Sequence, residues 1–318
     1  MNMLPMVSVI IPAYNEEKNI GRLLESIAAQ AGLNEEFNCE IIVVDNGSTD
    51  KTVDYSRTFG AKVYIRPDAS IADLRNYGAS QAFGGFLLFS DADNIFTTNV
   101  ISTVITIFNT QSCHAIGPDG LRPVEPVSWM QRTWYFHTRL FDKPNQSMAV
   151  GNLSSGFFAV RRDAFDQVDG FNGVLSIGED SDLSLRLRAK GFLLLRTNRF
   201  LIFNCGHPAN ILAFVKREFW HGDSIGLLLH HKNIDLLTMY LFLHFFGVMT
   251  LVYFLTFGVN IYLSILLIML IGAAPSYKSF KKLGGFKEGF FSLSGVYFLY
   301  LCSRAVALFK NFRPKQVC

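Results

Sequence analysis

The sequence predicts an α/β domain with a mixed, mostly parallel sheet and helices on both faces, followed by C-terminal transmembrane helices. Three observations carry this. Short, continuous apolar runs alternate with helical stretches over residues 1–235, the pattern of strands buried on both faces of a parallel sheet. Several of these runs end directly on acidic or turn residues. The apolar excess of the chain is concentrated after residue 235, where residues 236–275 carry no charged side chain.

The elements follow in order. "VSVIIP" (7–12) reads as a strand, and "EEKNIGRLLESIAAQ" (16–30) as a helix with Ile20, Leu23, Leu24 and Ile27 at helical spacing. "EIIVVD" (40–45) is the next strand, and Ser48 or Thr49 is placed to cap the helix that follows. "AKVYI" (61–65) precedes a helix in "SIADLRNYGASQAF" (70–83), whose expected buried face is Ile71, Leu74, Gly78 and Ala82. "GFLLFS" (85–90) then runs into Asp91 and Asp93. Ligands of such sheets bind beyond the carboxyl ends of the strands. The "PAYNE" turn, Asp45 and Asp91 all stand at such ends.

"GEDSDLSLRLRAKG" (178–191) alternates with period two, yet Leu, Arg, Ala and Lys are helix formers and no β-branched residue interrupts them. A helix is therefore expected, with Glu179, Asp180 and Asp182 in the favourable field of its N-terminus. Asp182 is read as a capping acid.

About 20 apolar residues cross a bilayer, so residues 236–275 suffice for a hairpin of two spans with its turn near Gly258 and Asn260. His244 is the awkward polar group within it. "YKSFKKLGGFKEG" (277–289) reads as a lysine-rich cytoplasmic loop. Residues 290–309 form a third apolar segment, interrupted by Arg304, which either spans or lies at the interface. The expected division is a catalytic domain at 1–235, ending in an amphipathic juxtamembrane stretch at 211–232, and a membrane domain at 236–318. The first domain is then cytoplasmic. Cys39, Cys113, Cys205, Cys302 and Cys318 lack metal-ligand spacing and read as reduced thiols. The start of the chain does not read as a signal peptide, and a net charge of +3 gives no reason to expect a nucleic-acid partner.

Asp91 and Asp93 lie two residues apart, so in an extended or turn conformation both can face one ligand. Two like charges there repel unless a cation lies between them. Hard oxygen donors of this kind suit Mg²⁺ or Mn²⁺. Taken alone, the pair is equally a solvated turn, and its place at a strand end favours function. His207, in "CGHP", is either a structural histidine or a further metal ligand. "ILAFVKREFWHG" (211–222) reads as an amphipathic helix anchored at a bilayer surface by Trp220.

Five stretches together resemble glycosyltransferase family 2 with the GT-A fold, in the family's order and spacing across residues 7–222. They are "VSVIIPAYNEEKNI", "EIIVVDNGSTDKT", "ADLRNYGASQAFGGFLLFSDADN", "GNLSSGFFAVRRDAFDQVDGFN" and "GEDSDLSLRLRAKG". The resemblance implies a donor site for a nucleotide-diphosphate sugar at Pro12, Ala13, Tyr14, Glu16, Asp45, Asn46, Arg75, Asp91 and Ala92. Arg75 is expected at the phosphates, and Asp45 at the base and ribose. The metal set implied is Asp91, Asp93 and His207. Asp180 matches the base, with Glu179 beside it, and Ser155, Gly156 and Trp220 are expected at the acceptor.

The expected reaction is metal-dependent single displacement with inversion onto a hydroxyl of a lipid-linked or lipid acceptor at the bilayer. A polyprenyl phosphate acceptor is the alternative. The chain lacks the Q-x-x-R-W motif of processive synthases and reads "KREFWHG" there, which points to transfer of single sugars. A phosphatase of the haloacid dehalogenase type is a weaker rival, because its paired aspartates follow the first strand.

Overall fold

The computed structural model describes residues 4–175, 177–222, 247–254, 256–257, 261–283, 285, 287 and 289–310. In chain order the elements begin β1 (Met6–Ala13), α1 (Ile20–Ala28), β2 (Asn38–Asp45), α2 (Thr52–Thr58), β3 (Lys62–Ile65), α3 (Ile71–Gln81), β4 (Phe86–Ser90) and β5 (Asn94–Phe96). They continue α4 (Val100–Thr110), β6 (Ala115–Pro118), β7 (Arg122–Pro123), α5 (Trp129–Thr138), β8 (Ser147–Ala149), β9 (Phe157–Arg161) and α6 (Arg162–Asp166). The described part closes with α7 (Glu179–Ala189), β10 (Leu194–Thr197), β11 (Ile202–Asn204), α8 (Ile211–Gly222), α9 (Ile261–Leu283) and α10 (Phe290–Lys310).

Two units divide the chain: residues 1–125 with 138–206, and residues 126–137 with 207–318. The first holds an eight-stranded sheet in the order β3-β2-β1-β4-β9-β6-β10-β8. The four strands β3, β2, β1 and β4 are parallel, β9 runs antiparallel to both β4 and β6, and β10 is parallel to β6. A small sheet, β5-β11-β7, completes the unit.

Period-two alternation along β1 sorts its side chains into two cores. Val7, Val9 and Ile11 face α1 and α4, where Ile20, Leu23, Leu24, Ile27, Val104 and Phe108 are buried. Ile10 faces the other side, with Ile42, Val44, Leu87 and Phe89, and packs with α3 and α7. The buried face of α1 is the one its spacing predicts.

Three local expectations are corrected. Helix α2 starts at Thr52 with Lys51 at its N-cap, so neither Ser48 nor Thr49 caps it. Asp182 pairs with Arg186 one turn on, Nε donating at 2.8 Å, while Gly178 with φ 86° occupies the N-cap of α7. In α3 the buried residues are Ala72, Leu74, Arg75, Gly78 and Ala79, whereas Ile71 is 38% exposed and Ala82 lies past the helix end. Leu74, Gly78 and Ala82 are buried as expected; Ile71 departs, and Ala72, Arg75 and Ala79 widen the buried face.

The second unit contains α8, α9 and α10, together with nearly all of α5. The first half of the expected hairpin (236–246) and its turn at 258–260 lie outside the described residues. Helix α9 runs through Pro275 to Leu283, so Lys278, Lys281 and Lys282 stand on a helix and not in a loop. Its apolar part ends near Pro275, about 15 residues or ~22 Å from its start, short of the ~30 Å hydrocarbon layer. Among the described residues, no helix is long and apolar enough to cross a membrane.

Gly78 is where α3 meets the sheet. A Cβ there would fall 2.4 Å from Ile10 Cγ2 and 3.2 Å from Val44 Cγ2. Gly78→Val is expected to lower the unfolding free energy by at least about 2 kcal/mol, because both contacts are in a close-packed core. A urea melt checks this, and an unchanged midpoint would show that α3 is free to lift off the sheet.

Candidate active site

The carboxyl ends of β1, β2 and β4 deliver the "PAYNE" turn, Asn46 and the Asp91–Asp93 pair to one edge of the sheet. A cavity of about 300 Å³ opens there, lined by Pro12, Ala13, Tyr14, Glu16, Asn46, Ile71, Leu74, Asp91, Ala92 and Asp93. Eight of these are residues expected in the donor or metal sites. Ile71 and Leu74 were expected in the core, and they give the cavity an apolar wall.

The Arg75 side chain is 1% exposed and joins two elements far apart in sequence. Nη1 donates to Glu179 Oε1 at 2.7 Å, and Nη2 donates to Asp91 Oδ1 at 2.9 Å and to the Ser155 carbonyl at 3.4 Å. The guanidinium also lies over the Phe171 ring, 5.5 Å from its centroid. Arg75 is thus placed behind the cavity wall as a bridge between carboxylates. The expectation that it reaches a phosphate directly does not match this placement.

Ser155 extends the bridge. Its hydroxyl donates to Glu179 Oε1 at 3.0 Å, and its backbone N–H donates to Asp180 Oδ2 at 3.2 Å. Ser181 N–H donates to Asp180 Oδ1 at 2.7 Å. The Gly156 carbonyl accepts the Asp91 N–H at 3.1 Å, and a Cβ at Gly156 would sit 3.4 Å from Asp91 Oδ2. Ser155 and Gly156 therefore set the positions of Asp91, Glu179 and Asp180.

Asp93 is aimed by residues the motif reading did not single out. Asn204 Nδ2 donates to Asp93 Oδ1 at 2.7 Å and to Asn94 Oδ1 at 2.9 Å. Asn94 is itself buried and donates to Ser90 Oγ at 3.0 Å and to the Gly156 carbonyl at 2.5 Å. A Cβ at Gly206 would fall 2.1 Å from Asp93 Oδ2, so any side chain there would push the Asp93 carboxylate from this position. No local periodicity marks Asn204 or Gly206; only the pairing of β11 with β5 brings them here.

Asp45 departs from its expected role. It is 1% exposed, and its carboxylate accepts Gly47 N–H at 2.9 Å, Ser48 N–H at 2.8 Å and Ser48 Oγ–H at 2.5 Å. It shapes the turn after β2, and Asn46 is the residue that reaches the cavity. His207 and Trp220 belong to the second unit, where the His207 carbonyl accepts from Gln131 Nε2 at 2.9 Å and Trp220 is 56% exposed.

Burial and mutual repulsion raise the carboxylates. Burial pushes Asp93 up to about 7, with Asp91 and Glu16 adding repulsion and Asn204 opposing. Asp91 is raised by burial against the pull of Arg75, and Glu16 is raised by burial, with Asp91 and Asp50 adding to it. Burial and then Glu179 raise Asp180. A set of oxygen donors with this much unbalanced negative charge fits a hard divalent cation. Among the described residues no three His, Cys, Asp or Glu side chains converge as a ready-made cage. Asp91 and Asp93 put two carboxylates at the cavity, a number that would leave a cation room to complete its shell with substrate phosphates and water.

The sheet is mixed, its parallel strands β3, β2, β1 and β4 continuing through antiparallel β9, and its acidic carboxyl edge opens onto the cavity. Residues 8–169 match the family described as Glycosyl transferase family 2, and the chain belongs to that family. It is 39% identical to glycosyltransferase AglE of Haloferax volcanii over 97 residues, covering 28% of this chain and 31% of that protein. It is 34% identical to 4,4'-diaponeurosporenoate glycosyltransferase of Staphylococcus aureus over 145 residues, covering 43% of this chain and 36% of that one. The matches therefore span about a third of these two relatives. Among solved structures, the mannosyltransferase PcManGT of Pyrobaculum calidifontis, in complex with GDP-Man and Mn2+, shares the fold. Its TM-score is 0.62 at 15% identity, over 98% of this chain and 89% of that one. TarS 1-349 of S. aureus with UDP-GlcNAc does so with a TM-score of 0.53 at 16% identity, over 96% and 91%.

The position of Asp93 gives a stability test. Its folded pKa of about 7 exceeds the ordinary carboxylate value of 3.8, so the folded state holds a proton that the unfolded chain has lost between those pH values. Ionised Asp93 then costs stability that grows as pH rises to about 7 and is constant above it. In ion-free buffer, Asp93→Asn is expected to raise Tm by about 2–6 °C at pH 8, with the gain fading as pH falls toward 4. A thermal melt at each pH checks this, and a gain independent of pH would contradict it.

Proposed function

We propose that the chain is an inverting glycosyltransferase. It moves a single sugar from a nucleotide-diphosphate sugar to a hydroxyl of a membrane-associated acceptor, a lipid or lipid-linked saccharide. The observation that carries this reading is the cavity at the strand ends, where Glu16, Asp91 and Asp93 meet the turn residues Pro12, Ala13 and Tyr14. The donors held by the structural neighbours, GDP-Man with Mn2+ and UDP-GlcNAc, support it.

In this reading the nucleotide lies along Pro12–Tyr14 and Asn46, with Ile71 and Leu74 as its apolar support. Asp91 and Asp93 would hold a Mg²⁺ or Mn²⁺ ion. Such an ion supplies stabilisation of the charge that builds on the diphosphate as it leaves. Asp180 accepts the proton of the attacking hydroxyl. Burial and Glu179 raise its pKa, which strengthens it as a base while two backbone N–H donors fix its direction. A hydroxyl needs such a base, whereas an ionised phosphate does not, and Asp180 therefore favours the hydroxyl acceptor. The membrane location rests on the apolar composition after residue 235, and the cytoplasmic side of the catalytic unit on the lysines at 278, 281, 282 and 287.

The test is nucleoside diphosphate release from a panel of UDP- and GDP-sugars with detergent-solubilised protein. Asp180→Asn is expected to lower kcat by about 10²–10⁴-fold while donor affinity stays unchanged. In the wild type, activity is lost as pH falls through the Asp180 pKa, at higher pH than for an ordinary aspartate. A variant that keeps its rate, or one that loses donor binding, would overturn the assignment of Asp180.

A further inference from the structure

Of the stretch "DNGSTDKT" (45–52), only Asn46 is among the described residues that line the cavity. The other residues bond to the turn after β1. Three successive backbone N–H groups of that turn are received by the later one. Asn15 N–H donates to Ser48 Oγ at 2.8 Å, Glu16 N–H to Thr52 Oγ1 at 2.7 Å, and Glu17 N–H to Asp50 Oδ2 at 3.1 Å. Bonds also run the other way. Thr49 N–H donates to Asn15 Oδ1 at 2.9 Å, and Lys51 N–H to Glu17 Oε2 at 3.3 Å. Successive N–H groups of this kind can cradle an anion. Here side chains of the protein fill them, so the turn offers a phosphate nothing at these three positions.

Each hydroxyl in this clamp is oriented by a carboxylate. Ser48 Oγ–H donates to Asp45 Oδ2 at 2.5 Å, and Thr52 Oγ1–H donates to Asp50 Oδ1 at 2.5 Å. A hydroxyl has one hydrogen, so once it is given to a carboxylate the oxygen meets a backbone N–H only as acceptor. The same relay, from carboxylate through hydroxyl to backbone N–H, therefore occurs twice. Asn15 holds φ 54°, a left-handed conformation that asparagine tolerates and most residues avoid. The turn is thus held in an uncommon shape by partners on the neighbouring loop.

Tyr14 and Glu16, which line the cavity, flank Asn15 in this turn. Tyr14 is 58% exposed, so packing does little to fix it. We propose that Ser48 and Thr52 are positioning residues of the donor site. Without touching the nucleotide, they hold Tyr14 and Glu16 in the donor-binding arrangement through the N–H groups of Asn15 and Glu16. Asp45 and Asp50 then act on the donor through these two hydroxyls and not as its ligands. The proposal rests on the reading that the donor lies in this cavity. With a relay cut, the turn spends part of its time in other arrangements. The apparent donor affinity then falls by the fraction of molecules that stays competent.

Binding of UDP and of GDP, each with Mn²⁺, to the detergent-solubilised full chain is measured by titration calorimetry, well below the melting midpoint of every variant. The nucleotide that wild type binds more tightly is expected to bind Ser48→Ala and Thr52→Val about three- to tenfold more weakly, the factor of one lost neutral hydrogen bond. Ser48→Thr and Thr52→Ser keep the hydroxyl and are expected to stay within about twofold of wild type. Thr52 is fully buried, so Thr52→Ser loses a packed methyl group and lowers Tm while affinity holds. A merely structural residue would move Tm and leave affinity alone. Tyr14→Ala, on the cavity wall, tests the donor site itself and is expected to weaken the same nucleotide. Weaker binding in Tyr14→Ala beside unchanged binding in folded Ser48→Ala or Thr52→Val would overturn the inference alone. Equal weakening in Thr52→Val and Thr52→Ser would do the same. Unchanged binding in Tyr14→Ala would overturn the donor site, and the inference with it.

Discussion

The buried guanidinium of Arg75 is the constraint on which the catalytic edge depends. Taking an arginine out of water costs several kcal/mol unless its charge is matched at short range. Here Asp91, from the end of β4, and Glu179, from the start of α7, supply the match. The pair Arg75–Glu179 spans 104 residues, so one side chain fixes the helix carrying Asp180 against the strand carrying Asp91. Ser155 then links Glu179 to Asp180 through its hydroxyl and its N–H. One buried cation thus orients three acids.

The same arrangement explains why the acids differ. Asp91 shares its charge with Arg75, while Asp93 has a neutral amide, Asn204, as its partner. Burial and the neighbouring Asp91 and Glu16 raise Asp93 to about 7. Gly206 leaves room for the Asp93 carboxylate.

Much of this was legible in the sequence because it is local. Ile20, Leu23, Leu24 and Ile27 bury as their spacing requires, and strand ends place Pro12–Glu16, Asn46 and Asp91–Asp93 around one cavity. Helix α7 was readable against its period-two pattern because side-chain propensity outweighed alternation over so short a run. What could not be read depends on partners distant in sequence. Asp45 looks like a ligand until its turn fills its oxygens. Arg75 looks like a phosphate contact until Glu179, far along the chain, turns it inward. Asn204 and Gly206 carry no motif at all and are recruited by strand pairing. Ile71, the first residue of α3, is exposed at the cavity because Ala72 and Arg75 take the buried positions of that turn.

The most direct test of the Arg75 constraint is a double-mutant cycle on stability. Arg75→Met, Glu179→Gln and the double variant are unfolded in urea beside the wild type. A coupling energy above about 1.5 kcal/mol is predicted, in the range of buried charged partners in contact. Additive effects, with coupling near zero, would mean that the guanidinium does not hold α7 to β4 and would contradict the account at its base.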